Sequence, residues 1–260
     1  MNGAWLFARY AYAPNKLGFC GPPESATLAT AGVDVDRVVE ADVRAAARQF
    51  SGAWHYLEVL AQLTGIADPL DARIVESYWL GGGVNDSVSG EVFGKELLAR
   101  IAPRAQHYWA HLTPDLLDEA AGHHSFHVFG VYPWSRLLGK FGACSTPPPP
   151  GDTPGHPMHV LDRCRIRWGT VLSRDGDTIV VSSRRLVWDG TELTLTEPTE
   201  ETVAVAVDGL SFLPDVAPGD QVALHWEWLC DRLSAEQVAR LEASTFDQVA
   251  KTNRRLLTTT

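Results

Sequence analysis

The sequence predicts an α+β protein: a mostly helical N-terminal domain followed by a small β-barrel domain with a C-terminal helix. Three observations predict it. Apolar residues recur at helical spacing before residue 145. Six prolines crowd STPPPPGDTPGHP, 145–157, and short alternating runs separated by Asp-Gly and Pro-Gly turns follow. A length of 260 residues exceeds the usual size of one domain, which favours two.

In the first part, Val39, Val43, Ala47, Phe50, Trp54, Leu57 and Leu60 form one stripe on a helix that Gly65 can end. Further helices are expected after Asp68-Pro69, near Ser89, after Pro103 and at Thr113-Pro114, where a capping side chain or first-turn proline starts each. WLGGG, 79–83, lacks the Gly-Lys-Ser/Thr of a phosphate loop and reads as a helix terminator. The proline run cannot be helix interior or central strand, so residues 145–159 read as a linker between domains 1–144 and 160–260.

Beyond it, CRIRWGTVL, DTIVVSSRRLVW, ELTLTE, TVAVAV and QVALHWEWL read as strands, with Cys164 opening the first. Ser234 and Gln237 have capping-box spacing. The helix they start carries Val238, Leu241, Phe246 and Val249 as an apolar stripe expected to pack on the barrel.

Composition limits function. A net charge of −10, with 32 acidic against 22 basic residues, argues against nucleic-acid binding, which relies on clustered Lys and Arg. No run reaches the roughly 18 apolar residues of a membrane span, and the N-terminus lacks a signal-peptide pattern. Four cysteines scattered through a long chain read as reduced thiols, so the expected location is cytoplasmic, without membrane attachment.

Several residues could carry chemistry. Cys20, in the turn GFCGPP, reads as a buried loop cysteine, with a reactive thiol as the alternative. In GHHSFHVFG, His123 and His127 at i, i+4 could face a metal together, with His124 between them. No HExxH pattern accompanies them, and a structural role is the better reading. Cys144 and Cys230 have no readable role.

Three motifs occur in order after the prolines: Cys164 five residues before Gly169, Asp175-Gly176-Asp177 before a Val-rich strand, and Pro218-Gly219-Asp220 before Val222 and His225. As an ordered set over residues 162–250 they resemble the HypC/HupF family of hydrogenase-maturation chaperones. The opening FARYAYAPNKLGFCGPPE is also similar to an uncharacterised bacterial family associated with hydrogenase gene clusters.

The first resemblance implies an OB-like barrel and an accessory role in [NiFe]-hydrogenase maturation, assembling or delivering the Fe(CN)2CO centre. Its expected partners are the hydrogenase large-subunit precursor or a HypD-like scaffold. Cys164 and His225 match the family's cysteine and histidine. Both would serve as cofactor-binding metal ligands, the iron being shared with a partner protein whose thiolate completes the site. A thiolate suits low-spin iron, and an imidazole can ligate or support it. Here the cysteine is internal, Trp168 stands where the family has proline, and WDGTELTLTEPTEE is added between Cys164 and His225. The chain is expected to be a carrier rather than an enzyme. The alternatives are an enzyme whose helical domain makes or modifies a ligand of the centre, or a metal-free interaction module.

Overall fold

The computed structural model describes residues 2–23, 26–30, 40–101, 107–138, 156–206 and 209–259. Helix α1 (Gly3–Lys16) runs through the middle of the helical half and is buried along most of its length. Asn2 caps it, accepting a hydrogen bond from the backbone of Ala4. Gly3 lets it lie directly on the chain at 70–72, since a Cβ there would come 2.0 Å from the Leu70 carbonyl oxygen. Against it pack α2 (Ala26–Thr30), α3 (Glu40–Ala47) and α5 (Ala72–Leu80), with α4 (Ser51–Thr64) packed on α5 and α6 (Gly90–Ile101) on α4.

The stripe expected on one helix is divided between α3 and α4. Phe50 leaves helical backbone geometry and buries its ring 5.3 Å from Phe7, so the chain turns where the stripe would have continued. Gly65 ends α4 in the left-handed conformation, as its sequence position predicts. Asp71 caps α5, and Gly81, Gly82 and Gly83 follow it with φ of 76°, 60° and 62°. These values favour glycine, and a Cβ on Gly81 would lie 2.4 Å from Ser244 Cβ. Pro114–Glu119 is a 3₁₀ turn rather than an α-helix, and Val39 and Pro103 lie outside the described residues.

Of the expected linker, 145–155 lies outside the described residues, and 156–159 begins α8 (His156–Cys164). Cys164 therefore ends a helix and does not open a strand. The apolar positions Val160, Leu161 and Cys164 repeat at helical spacing and are buried. Strand β1 starts at Arg167 and runs to Asp175. It is followed by β2 (Thr178–Ser183), β3 (Leu186–Trp188), β4 (Leu193–Leu195), β5 (Thr199–Ala204), β6 (Gln221–His225) and β7 (Trp228–Arg232).

The order β1-β2-β5-β7-β6 closes on itself through antiparallel β1–β6 pairing, Arg167 opposite Leu224, while β3 and β4 form a separate hairpin. The segment QVALHWEWL is not one strand. It folds back after His225, placing His225 opposite Trp228.

Val171, Ile179, Val181, Val203, Val222 and Leu229 fill the inside of the closed sheet. A second apolar cluster runs continuously from α1 through α4 and α5 to residues of α8, β6 and β7. The C-terminal helix α9 (Ala235–Thr259) has the expected capping box, Ser234 and Gln237 bonding each other's backbone N–H. It lies mostly on helical elements rather than on the closed sheet. Gln237 and Arg240 reach Glu76, Ser244 reaches the Leu80 carbonyl and Arg255 reaches Glu119. Leu241 and Val249 are buried by this packing, whereas Phe246 is 41% exposed. No helix among the described residues is long and apolar enough to cross a membrane.

Candidate metal centre

Where α8 meets the β6–β7 turn, side chains from three distant segments converge. Cys164 is the last residue of α8, and His225 the last of β6. His124 opens the three-residue helix α7 (His124–Phe126), which runs into a π-helical turn, His127–Val131. One ligand atom from each of these residues lies within 4.8 Å of the other two, and all three side chains are buried. Cys164 Sγ is 4.0 Å from His124 Nε2. Tetrahedral coordination by one sulfur and two nitrogens needs separations of about 3.3–3.6 Å, so closure requires movements of about an ångström.

The hydrogen bonds fix how each imidazole is presented. His225 Nδ1 lies 2.7 Å from the Tyr10 carbonyl oxygen. That acceptor requires Nδ1–H and leaves the lone pair on Nε2, which is buried and has no partner. This is the arrangement by which ligating histidines are oriented in metal sites.

His124 has both nitrogens engaged, Nε2 donating to the Cys164 carbonyl at 2.9 Å and Nδ1 accepting from the Tyr78 hydroxyl at 3.2 Å. Ligation through Nε2 would break the first bond and reverse the second, Nδ1–H then donating to the Tyr78 oxygen.

Burial keeps the whole set neutral. It holds the His124 imidazole at a pKa of about 4 and that of His225 well below its ordinary value. The Cys164 thiol is pushed well above its ordinary value by burial and by nearby Cys20. One thiol and two imidazoles without a carboxylate suit a soft or borderline transition metal and do not suit calcium or magnesium.

Beside the three residues lies a cavity of about 250 Å³ lined by, among others, Phe19, Cys20, Tyr78, Trp79, His127 and Trp226. The Trp79 ring packs 4.9 Å from that of His124 and 5.7 Å from that of His225. Phe19, half exposed, stacks at 4.1 Å on Trp226.

The structure thus brings Cys164 and His225 together. Both are buried, Cys164 6% and His225 1% exposed, and a third candidate ligand beside them is this chain's own His124. The i, i+4 pair His123/His127 does not form a site. His123 caps α7, and His127 sits against the rings of Tyr132, Tyr56 and Trp109. The middle histidine of GHHSFH is the one that faces Cys164, and its Tyr78 partner is 46 residues away in sequence. Cys20 lines the cavity without joining the three ligand atoms. Cys144 lies outside the described residues, and Cys230 is buried in β7.

No curated protein and no solved structure matches the chain. Residues 1–259 match the model of a family described as Family of unknown function (DUF6390), and the chain belongs to that family.

Proposed function

We propose that the protein is an accessory factor of [NiFe]-hydrogenase maturation that holds iron bearing diatomic ligands at His124, Cys164 and His225. The observation that supports this reading is the meeting of those three ligand atoms within 4.8 Å, beside a mostly apolar cavity. Three protein ligands leave three positions on a six-coordinate iron, the number that two cyanides and one carbon monoxide occupy. The hydrogenase connection rests on the ordered cysteine, DGD and PGD-x-V-x-x-H motifs. With them go an OB-like reading of the closed sheet, division into a helical and a barrel domain, and a large-subunit precursor or HypD-like scaffold as partner. As cargo, the iron would sit beside a mostly aromatic cavity that limits its contact with water.

A second reading, an enzyme that makes or modifies a ligand of that centre, draws on the number of cavity residues that come from the helical half, Cys20, Tyr78, Trp79 and His127 among them. The test is anaerobic purification of the full chain from cells maturing a [NiFe]-hydrogenase. The carrier reading expects iron approaching one per chain, with cyanide and carbonyl stretching bands in the infrared, both lost in Cys164→Ala. Iron without those bands, or zinc alone, would contradict it.

A further inference from the structure

The cavity carries a second inference, which rests on the metal reading above. Trp79 and Trp226 both line it and are 4% and 2% exposed. The indole Nε1–H of each is buried without an acceptor. A buried donor left without an acceptor is unfavourable, because it gives up its bond to water and gains none in return. No aspartate, glutamate, asparagine, glutamine, serine or threonine lines the cavity, so its own walls provide few acceptors.

Trp226 is also the one described non-glycine residue with a positive φ, 55°, a strained conformation that persists only where surroundings impose it. The imposition is visible. Its N–H donates to the Arg163 carbonyl at 2.8 Å, and its carbonyl accepts from Arg167 at 2.7 Å. The residue before it is His225. The same turn therefore makes one candidate ligand and one residue with an idle donor neighbours in the chain, while the Trp79 ring packs against both imidazoles.

We propose that the cavity places a small linear anion in one of the metal positions that the three protein ligands leave open, its outer atoms accepting hydrogen bonds from Trp79 Nε1–H and Trp226 Nε1–H. Aromatic walls and the lack of a lysine or arginine among the lining residues fit a singly charged, weakly hydrated ion of the cyanide, azide or thiocyanate type, which a volume of about 250 Å³ admits with space to spare. A sulfate or phosphate would require charged donors.

The experiment uses the full chain loaded with Co(II), azide as probe, and visible and infrared spectra as readouts. Azide should perturb the Co(II) bands. Trp79→Phe and Trp226→Phe should each weaken azide about tenfold, more than they weaken Co(II) itself, and shift its antisymmetric stretch. Unchanged azide affinity and stretch in both variants would overturn the proposal. Co(II) binding without any azide response would also overturn it while sparing the metal reading, whereas failure to bind Co(II) would remove both. If Trp79→Phe does not fold, the azide stretch of the unaltered chain in H2O against D2O reports the same bonds. A stretch indifferent to the isotope would count against them.

Discussion

Two sets of buried polar side chains spring from the stretch DRCRIR, 162–167, and they are finished differently. Asp162 pairs with Arg165 at 3.0 Å and Arg185 at 2.6 Å and accepts from the Leu186 backbone. Glu201 pairs with Arg163, Arg167 and Arg185. Each charge has an opposite partner. Burial alone would raise the Asp162 pKa, but the three guanidinium groups Arg165, Arg167 and Arg185 outweigh it and hold that carboxyl at about 2. Cys164, in the middle of the same stretch, has no charged partner and faces an imidazole whose Nε2 is idle. The first set braces α8 against the sheet. The second is held ready by that brace, with hydrogen-bonding capacity left over where a ligand would use it.

Removing one member of the brace should have the largest effect. Asp162→Ala leaves buried Arg165 without its carboxylate and should cost about 3–5 kcal/mol in urea unfolding. Cys164→Ala should cost only about 1 kcal/mol in the same measurement, yet lower metal affinity by more than about 100-fold in a competition titration. Equal stability losses would erase the distinction between brace and site.

The pH dependence sharpens it. The Cys164 thiol stays protonated near neutrality and both imidazoles are already neutral, so metal binding displaces one thiol proton. Apparent affinity should rise about tenfold per pH unit between about pH 7 and 8, with one proton released. Without metal, stability should fall as pH drops from about 6.5 towards 4. Unfolded imidazoles take up protons in that window, while His123 and His124, held at about 4 by burial, do not. The smallest effect is expected from Tyr78→Phe, which removes the orienting bond to His124 and should weaken metal binding about tenfold.

Much of this was legible in the sequence, and the failures share a cause. Gly65, the capping box at Ser234 and the turns at Gly176, Gly190 and Gly219 depend on local backbone demands and lie where the sequence puts them. The sequence puts Cys164 on a strand, whereas Val160, Leu161 and Cys164 continue a helix that starts inside the proline-rich stretch. His225 and Trp226 looked like strand interior because a tight turn with a left-handed tryptophan has no glycine or asparagine to announce it. The sequence does not single out His124, because its partners, Tyr78 and Cys164, are 46 and 40 residues away and only tertiary packing selects it from three neighbouring histidines.

The most direct test of the central claim is X-ray absorption on the full chain reconstituted with zinc. The account predicts one zinc per chain with a first shell containing one sulfur near 2.3 Å and two imidazole nitrogens near 2.0–2.1 Å, and it predicts loss of the sulfur scattering in Cys164→Ala. A shell of oxygen and nitrogen alone, or a sulfur contribution that survives Cys164→Ala, would contradict it.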